Sequence, residues 1–170
     1  MDVPSLSLHT ILLVRTLPSG NVVTAPVSAL AQASYGPEGH CADEQQLYLG
    51  ELLARERPEG VARFQVPEAA RLVDTEVIVP REDLPRRLKM RVPIQVHAVV
   101  IPDARGQWVT VACLDHTFYV PRDESVEEAV RAEVVRLAGA RELTPTQYLE
   151  LLPPVDAELV PMTLSIERLD

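Results

Sequence analysis

The chain repeats itself at a spacing of about 86 residues, and that limits it to two copies of one small architecture. Leu13-Val14, Gly20 and Val22-Val23-Thr24 correspond to Val99-Val100, Gly106 and Trp108-Val109-Thr110. Ser7 to Thr16 reads as a strand and Leu17 to Asn21 as a turn, where Gly20 and Asn21 tolerate positive φ. Val22 to Ala29 is the returning strand. Ile94 to Pro102, a turn at Asp103 to Gly106, and Gln107 to Leu114 repeat that hairpin. A third short run follows each hairpin, Leu30 to Tyr35 and then Thr117 to Val120.

A helix start comes next in both halves. Ser125 with Glu128 forms a capping box, the serine accepting from the Glu128 N–H while that carboxylate reaches back; Asp43 with Gln46 offers the same pair. Each cap contributes about 1 kcal/mol, so the helices are expected to begin there. Val126, Ala129, Val130, Val134 and Leu137 make one apolar stripe, and Leu47, Leu49, Leu52 and Leu53 are expected to do the same. The caps are only about 82 residues apart, which assigns roughly four extra residues to a loop at Gly36 to His40. Pro67 to Val79 and Pro153 to Ile166 then end each half as a strand. Thr144, Pro145 and Gln147 open a further short helix through about Leu152.

The predicted fold class is α+β: two β-β-β-α-β repeats, mostly antiparallel sheets with a helix packed on each. The expected division is 1–80, a basic linker at 81–91, and 92–170. A unit of about 80 residues is marginal alone, so the two are expected to pair in a pseudo-twofold arrangement.

Composition narrows the function classes. The chain has 46% hydrophobic and 24% charged residues, those of a globular protein. Its net charge of -9 opposes a phosphate backbone and argues against nucleic acid. Two cysteines, Cys41 and Cys113, do not make a disulfide scaffold, and a reduced cytoplasmic setting is the simplest reading. The opening residues carry no basic leader. No run approaches the roughly 18 apolar residues that span a bilayer, so neither processing nor a membrane is expected.

The segment Ile94 to Gly139 resembles the HicB antitoxin family. The shared pattern is an apolar strand, the acidic turn at Asp103, a second strand opened by the aromatic Trp108, a third strand through Phe118 and Tyr119, and a helix start. That start reads Asp123, Ser125, Glu127, Glu128, Ala129. The first half resembles the family as a degenerate copy. The resemblance implies the fold and, in function, the covering of a basic toxin RNase. The family's separate DNA-binding segment is not seen through Asp170. The family's kinship with RNase H topology implies no nuclease here, because Val, Ile and Thr stand where acidic strand residues would hold magnesium.

Other chemistry finds little support. His40, Cys41, Cys113, Asp115 and His116 could make a zinc site only if the repeats bring them together, and they lack the usual ligand spacing. Cys41 beside His40, or Cys113 near His116, is a poor thiol dyad because neighbouring strand residues point to opposite faces. The serines sit in no nucleophile elbow and the glycines in no phosphate loop. The carboxylate pairs read as solvated faces and caps. Trp108 is expected first as a core residue and second as an exposed anchor. Arg86, Arg87, Lys89 and Arg91 read as a linker or a patch for an acidic partner.

The expectation is therefore a non-enzymatic interaction or adaptor module without cofactor or metal, docking by edge-strand addition onto another protein such as an ATPase or toxin-like effector. Arg86, Arg87, Lys89, Arg91, His40 and Trp108 are the candidate contact residues, and a homo-oligomer is compatible with open sheet edges. The alternative is an antitoxin-like regulator that neutralises a nuclease or acts near nucleic acid.

Overall fold

Leu8, Leu12 and Val14 of β1 (Ser5–Thr16) lie on the face that packs on a helix, and with Ile11 and Leu13 also buried the strand is covered on both faces from Thr10 to Val14. The computed structural model describes residues 5–30, 32–56, 58–86, 93–112, 114, 116–145, 147 and 156–167. In chain order after β1 come β2 (Val22–Pro26), β3 (Ser34–Gly36), the helices α1 (Glu38–Arg55) and α2 (Pro58–Val61), and β4 (Arg71–Val77). The remainder is β5 (Ile94–Pro102), β6 (Gly106–Val111), β7 (His116–Pro121), α3 (Val126–Gly139) and β8 (Asp156–Glu167).

The protein is α+β, with two four-stranded antiparallel sheets ordered β3-β2-β1-β8 and β4-β5-β6-β7. Each half of the sequence does run β-β-β-α-β, but its fourth strand lies in the sheet built by the other half. β4 pairs with β5, Val73 opposite Ala98 and Val77 opposite Ile94. β8 pairs with β1 at all twelve positions, from Ser5 opposite Glu167 to Thr16 opposite Asp156. The compact units are therefore Met1–Glu68 with Pro154–Asp170, and Ala69–Pro153.

This corrects the division at 1–80, 81–91 and 92–170. β4 precedes β5 in the chain, and closing the loop to an antiparallel neighbour costs less chain entropy than reaching a more distant strand. The segment expected as a linker between halves instead connects two strands inside the second unit. There Arg81–Asp83 forms a short 3-10 turn, while Arg87, Lys89 and Arg91 lie outside the described residues.

Each unit has its own core. In the first, Leu8, Leu12, Val22 and Leu164 of the sheet meet Cys41, Leu49 and Leu53 of α1. In the second, Val73, Val96, Val100, Val109 and Val120 meet Val126, Val130, Val134 and Leu137 of α3. At roughly 1.5–3 kcal/mol per buried aliphatic side chain, these faces hold the helices down.

Two helix expectations change. α1 begins at Glu38, five residues before Asp43, so Gly36 to His40 is the entry to the helix rather than an inserted loop. Gly36, at φ 148°, turns the chain out of β3; Pro37 at φ -60° presets the helix entry, and Glu38 sits where the helix dipole favours a negative charge. Leu47 is 65% exposed and leaves the expected stripe, because two residues of helix rotate it about 200° from Leu49. The buried line is Cys41, Gln45, Leu49, Leu53.

α3 starts where its cap says it should. Ser125 Oγ accepts from the Glu128 N–H at 3.3 Å, but the carboxylate that takes the serine hydroxyl at 3.2 Å is Glu127, not Glu128. The Thr144 box also forms: the Thr144 N–H donates to Gln147 Oε1 at 2.8 Å and the Gln147 N–H to Thr144 Oγ1 at 3.2 Å. The rest of that expected helix lies outside the described residues.

Candidate functional site

The β5–β6 turn organises the most distinctive surface of the second unit. Asp103 Oδ1 accepts from the backbone N–H of Arg105 at 2.8 Å and of Gly106 at 2.9 Å, and from the Tyr119 hydroxyl at 3.2 Å. The Arg105 N–H above all, then the Gly106 N–H and the Tyr119 and Trp108 side chains, hold its carboxyl below the ordinary aspartate range. The Tyr119 phenol moves the other way, pushed up first by partial desolvation and then by Asp103.

Gly106 makes this packing feasible. A Cβ there would meet the Val120 carbonyl oxygen and, at 2.6 Å, the Tyr119 hydroxyl. With none, Tyr119 lies across the turn and meets Trp108 edge to face, ring centroids 5.0 Å apart and planes at 66°. The register sets Trp108 opposite Tyr119 and Thr110 opposite Thr117, and the two threonine hydroxyls bond at 2.8 Å. All four lie on the sheet face away from α3, because Val109 and Val111 occupy the helix face. Trp108 is 48% exposed and Tyr119, on β7, 37%; among the described residues β7 has a strand on one side only.

The expectation that Trp108 is a core residue is thus overturned. The sequence match set it against Val22, which is buried under α1. Val14 faces Thr24 where Val100 faces Val109, and Arg15 faces Val23 where Ile101 faces Trp108, so the structural counterpart is Val23. The first hairpin turn is one residue longer, and a one-residue slip reverses the face.

The remaining candidates divide between the two units. His40 is exposed on the first turn of α1, its Nε2 3.0 Å from Glu44 Oε1. Arg86 is exposed in the second unit, lining a hollow of about 450 Å³ with Glu82, Asp83 and Arg141. Cys41 is buried in the first core, where burial and then Glu44 push its thiol up, away from the thiolate that catalysis requires. His116 Nε2 bonds Glu133 Oε1 at 2.7 Å; Cys113 and Asp115 lie outside the described residues. Among the described residues no three His, Cys, Asp or Glu side chains are grouped to hold a metal ion.

No family model, no curated protein and no solved structure matches the chain. Among the described residues no helix is long and apolar enough to cross a membrane.

Two features escaped the sequence reading. Tyr35 repeats the role of Tyr119: its hydroxyl accepts from Asn21 Nδ2 in the preceding turn at 3.1 Å. A tyrosine in the third run of each repeat was the available signal. Asp74 and His97 were harder to pair, because they face each other only once β4 joins β5. His97 Nδ1 bonds Asp74 Oδ1, and the buried Nε2 has no partner among the described residues.

Proposed function

We propose that this chain is a non-enzymatic protein-interaction module, an adaptor that docks onto another protein through the Trp108–Tyr119 surface and the open side of β7. The reading rests on one observation. The only tryptophan of the chain stands half exposed against a tyrosine that is locked to a rigid turn, beside an edge strand. Aromatic side chains held in one rotamer bury large area at little entropic cost, which is why they dominate binding surfaces. An edge strand adds main-chain hydrogen bonds to an extended partner segment.

The side chains gathered there are suited to contact, not to reaction. Asp103 is already engaged by three donors, one of them the Tyr119 hydroxyl, and the indole of Trp108 carries no nucleophile or base. The resemblance of Ile94 to Gly139 to HicB antitoxins supports a docking role in the same segment, with a toxin-like effector as one class of partner. Localisation in the cytoplasm accords with a content of only two cysteines.

Immobilised full-length chain and its Trp108→Ala variant, exposed to the same native extract, test this reading. The wild type is expected to retain a specific protein that the variant binds about 2 kcal/mol more weakly, roughly thirtyfold. Retention of RNA in a salt-sensitive manner would favour the antitoxin-like regulator instead, and turnover of a small molecule without any retained protein would refute the docking role.

A further inference from the structure

We propose that the hollow between β3 and α1 in the first unit is a second docking site, taking an extended peptide segment in which lysine or arginine alternates with apolar residues. Among the described residues β3 has a strand on one side only, and a hollow of about 330 Å³ lies where it meets α1. Its lining includes Ser34, Glu44, Gln45, Leu47 and Glu51 and, among the described residues, no lysine or arginine.

Gln45 points to what is missing. It is 2% exposed, and its Nε2 lies 3.2 Å from the Thr24 carbonyl, 2.8 Å from the Gln32 carbonyl and 2.8 Å from Ser34 Oγ. Two carbonyls fix which end of the amide is the donor, so its oxygen cannot be exchanged into that place. That oxygen is buried with no partner among the described residues. A bare buried acceptor is destabilising, and a hydrogen-bond donor is the group that relieves it.

The rim says what kind of donor. Glu44 and Glu51 stand seven residues apart, two turns of α1, and so share a face. With the net charge of -9 they favour an ammonium or guanidinium over a phosphate. Leu47, 65% exposed and in the lining, supplies apolar area for a flanking residue. An extended segment laid along β3 presents alternate side chains to one face, which suits a basic residue followed two places on by another contact. This site uses none of the residues of the Trp108–Tyr119 surface and stands or falls without it.

The probe is a labelled ten-residue peptide alternating arginine and leucine, titrated into the full chain by fluorescence anisotropy beside its glutamate–leucine counterpart. Saturable binding of the basic peptide alone is expected, weakened about tenfold by E44K/E51K at low salt. Leu47→Ser should weaken it too, while Trp108→Ala and the reversal D123K/E124K in the second unit leave it unchanged. Slower amide exchange at Ser34–Gly36 in the complex would place the peptide on β3. No saturable binding, equal binding of both peptides, or equal weakening by D123K/E124K would overturn the proposal.

Discussion

Gly106 and Glu133 show how single side chains set the second unit. At Gly106, alanine would drive a methyl group against the Val120 carbonyl and the Tyr119 hydroxyl. Gly106→Ala is expected to cost about 1–3 kcal/mol by urea unfolding, the usual range for overpacking, and to loosen the Trp108–Tyr119 contact. Glu133 joins α3 to the start of β7. Its carboxylate accepts from Arg136 Nε at 3.0 Å and Nη2 at 2.7 Å and bonds His116 Nε2 at 2.7 Å. Arg136 chiefly, with His116, holds the Glu133 carboxyl below the ordinary glutamate range against the opposing effect of burial. A depressed folded pKa stabilises the fold above the unfolded value, about 4.3, and that stability is lost as pH falls through the folded value. Glu133→Gln should therefore flatten the acid side of the stability curve; an unchanged slope below pH 4.3 would remove Glu133 as its source.

At the scale of elements, the fourth strands decide the fold. β4 completes a continuous four-strand meander with α3 at Ala69–Pro153, while the first unit waits for β8 from the far end of the chain. A fragment of residues 69–153 is expected to melt cooperatively by circular dichroism, though weakly, since so small a domain is marginal. Truncation after Pro153 strips β1 of its twelve-residue partner, and the exposed edge should speed amide exchange in β1 and promote aggregation. The strands themselves were legible from Val-rich apolar runs and turn residues, Ile94–Pro102 to the residue. Their partners were not, because period two specifies a face and carries no information about which edge a strand joins. The same limit hid Asp74 beside His97 and set Trp108 against the wrong valine. α3 was legible because Ser125 caps it with a side chain; α1 was misplaced because Pro37 starts it through backbone geometry alone.

For the whole molecule, the duplication is reciprocal. Both sheets carry the same strand order, with the outer fourth strand contributed by the opposite half. The copies then diverge where function is proposed: the second presents Trp108 against Tyr119, and the first presents Tyr35 and the acidic rim of α1. An acidic chain with exposed aromatic and acidic surfaces should associate with a partner at a rate that falls as salt rises, more so at the acidic rim than at Trp108. The most direct measurement of the central claim is a comparison of proteins retained from native extract by the full chain and by a Trp108→Ala/Tyr119→Ala double variant of matched thermal stability. A protein retained by the first and lost from the second is expected; identical retention by both would contradict the docking role of this surface.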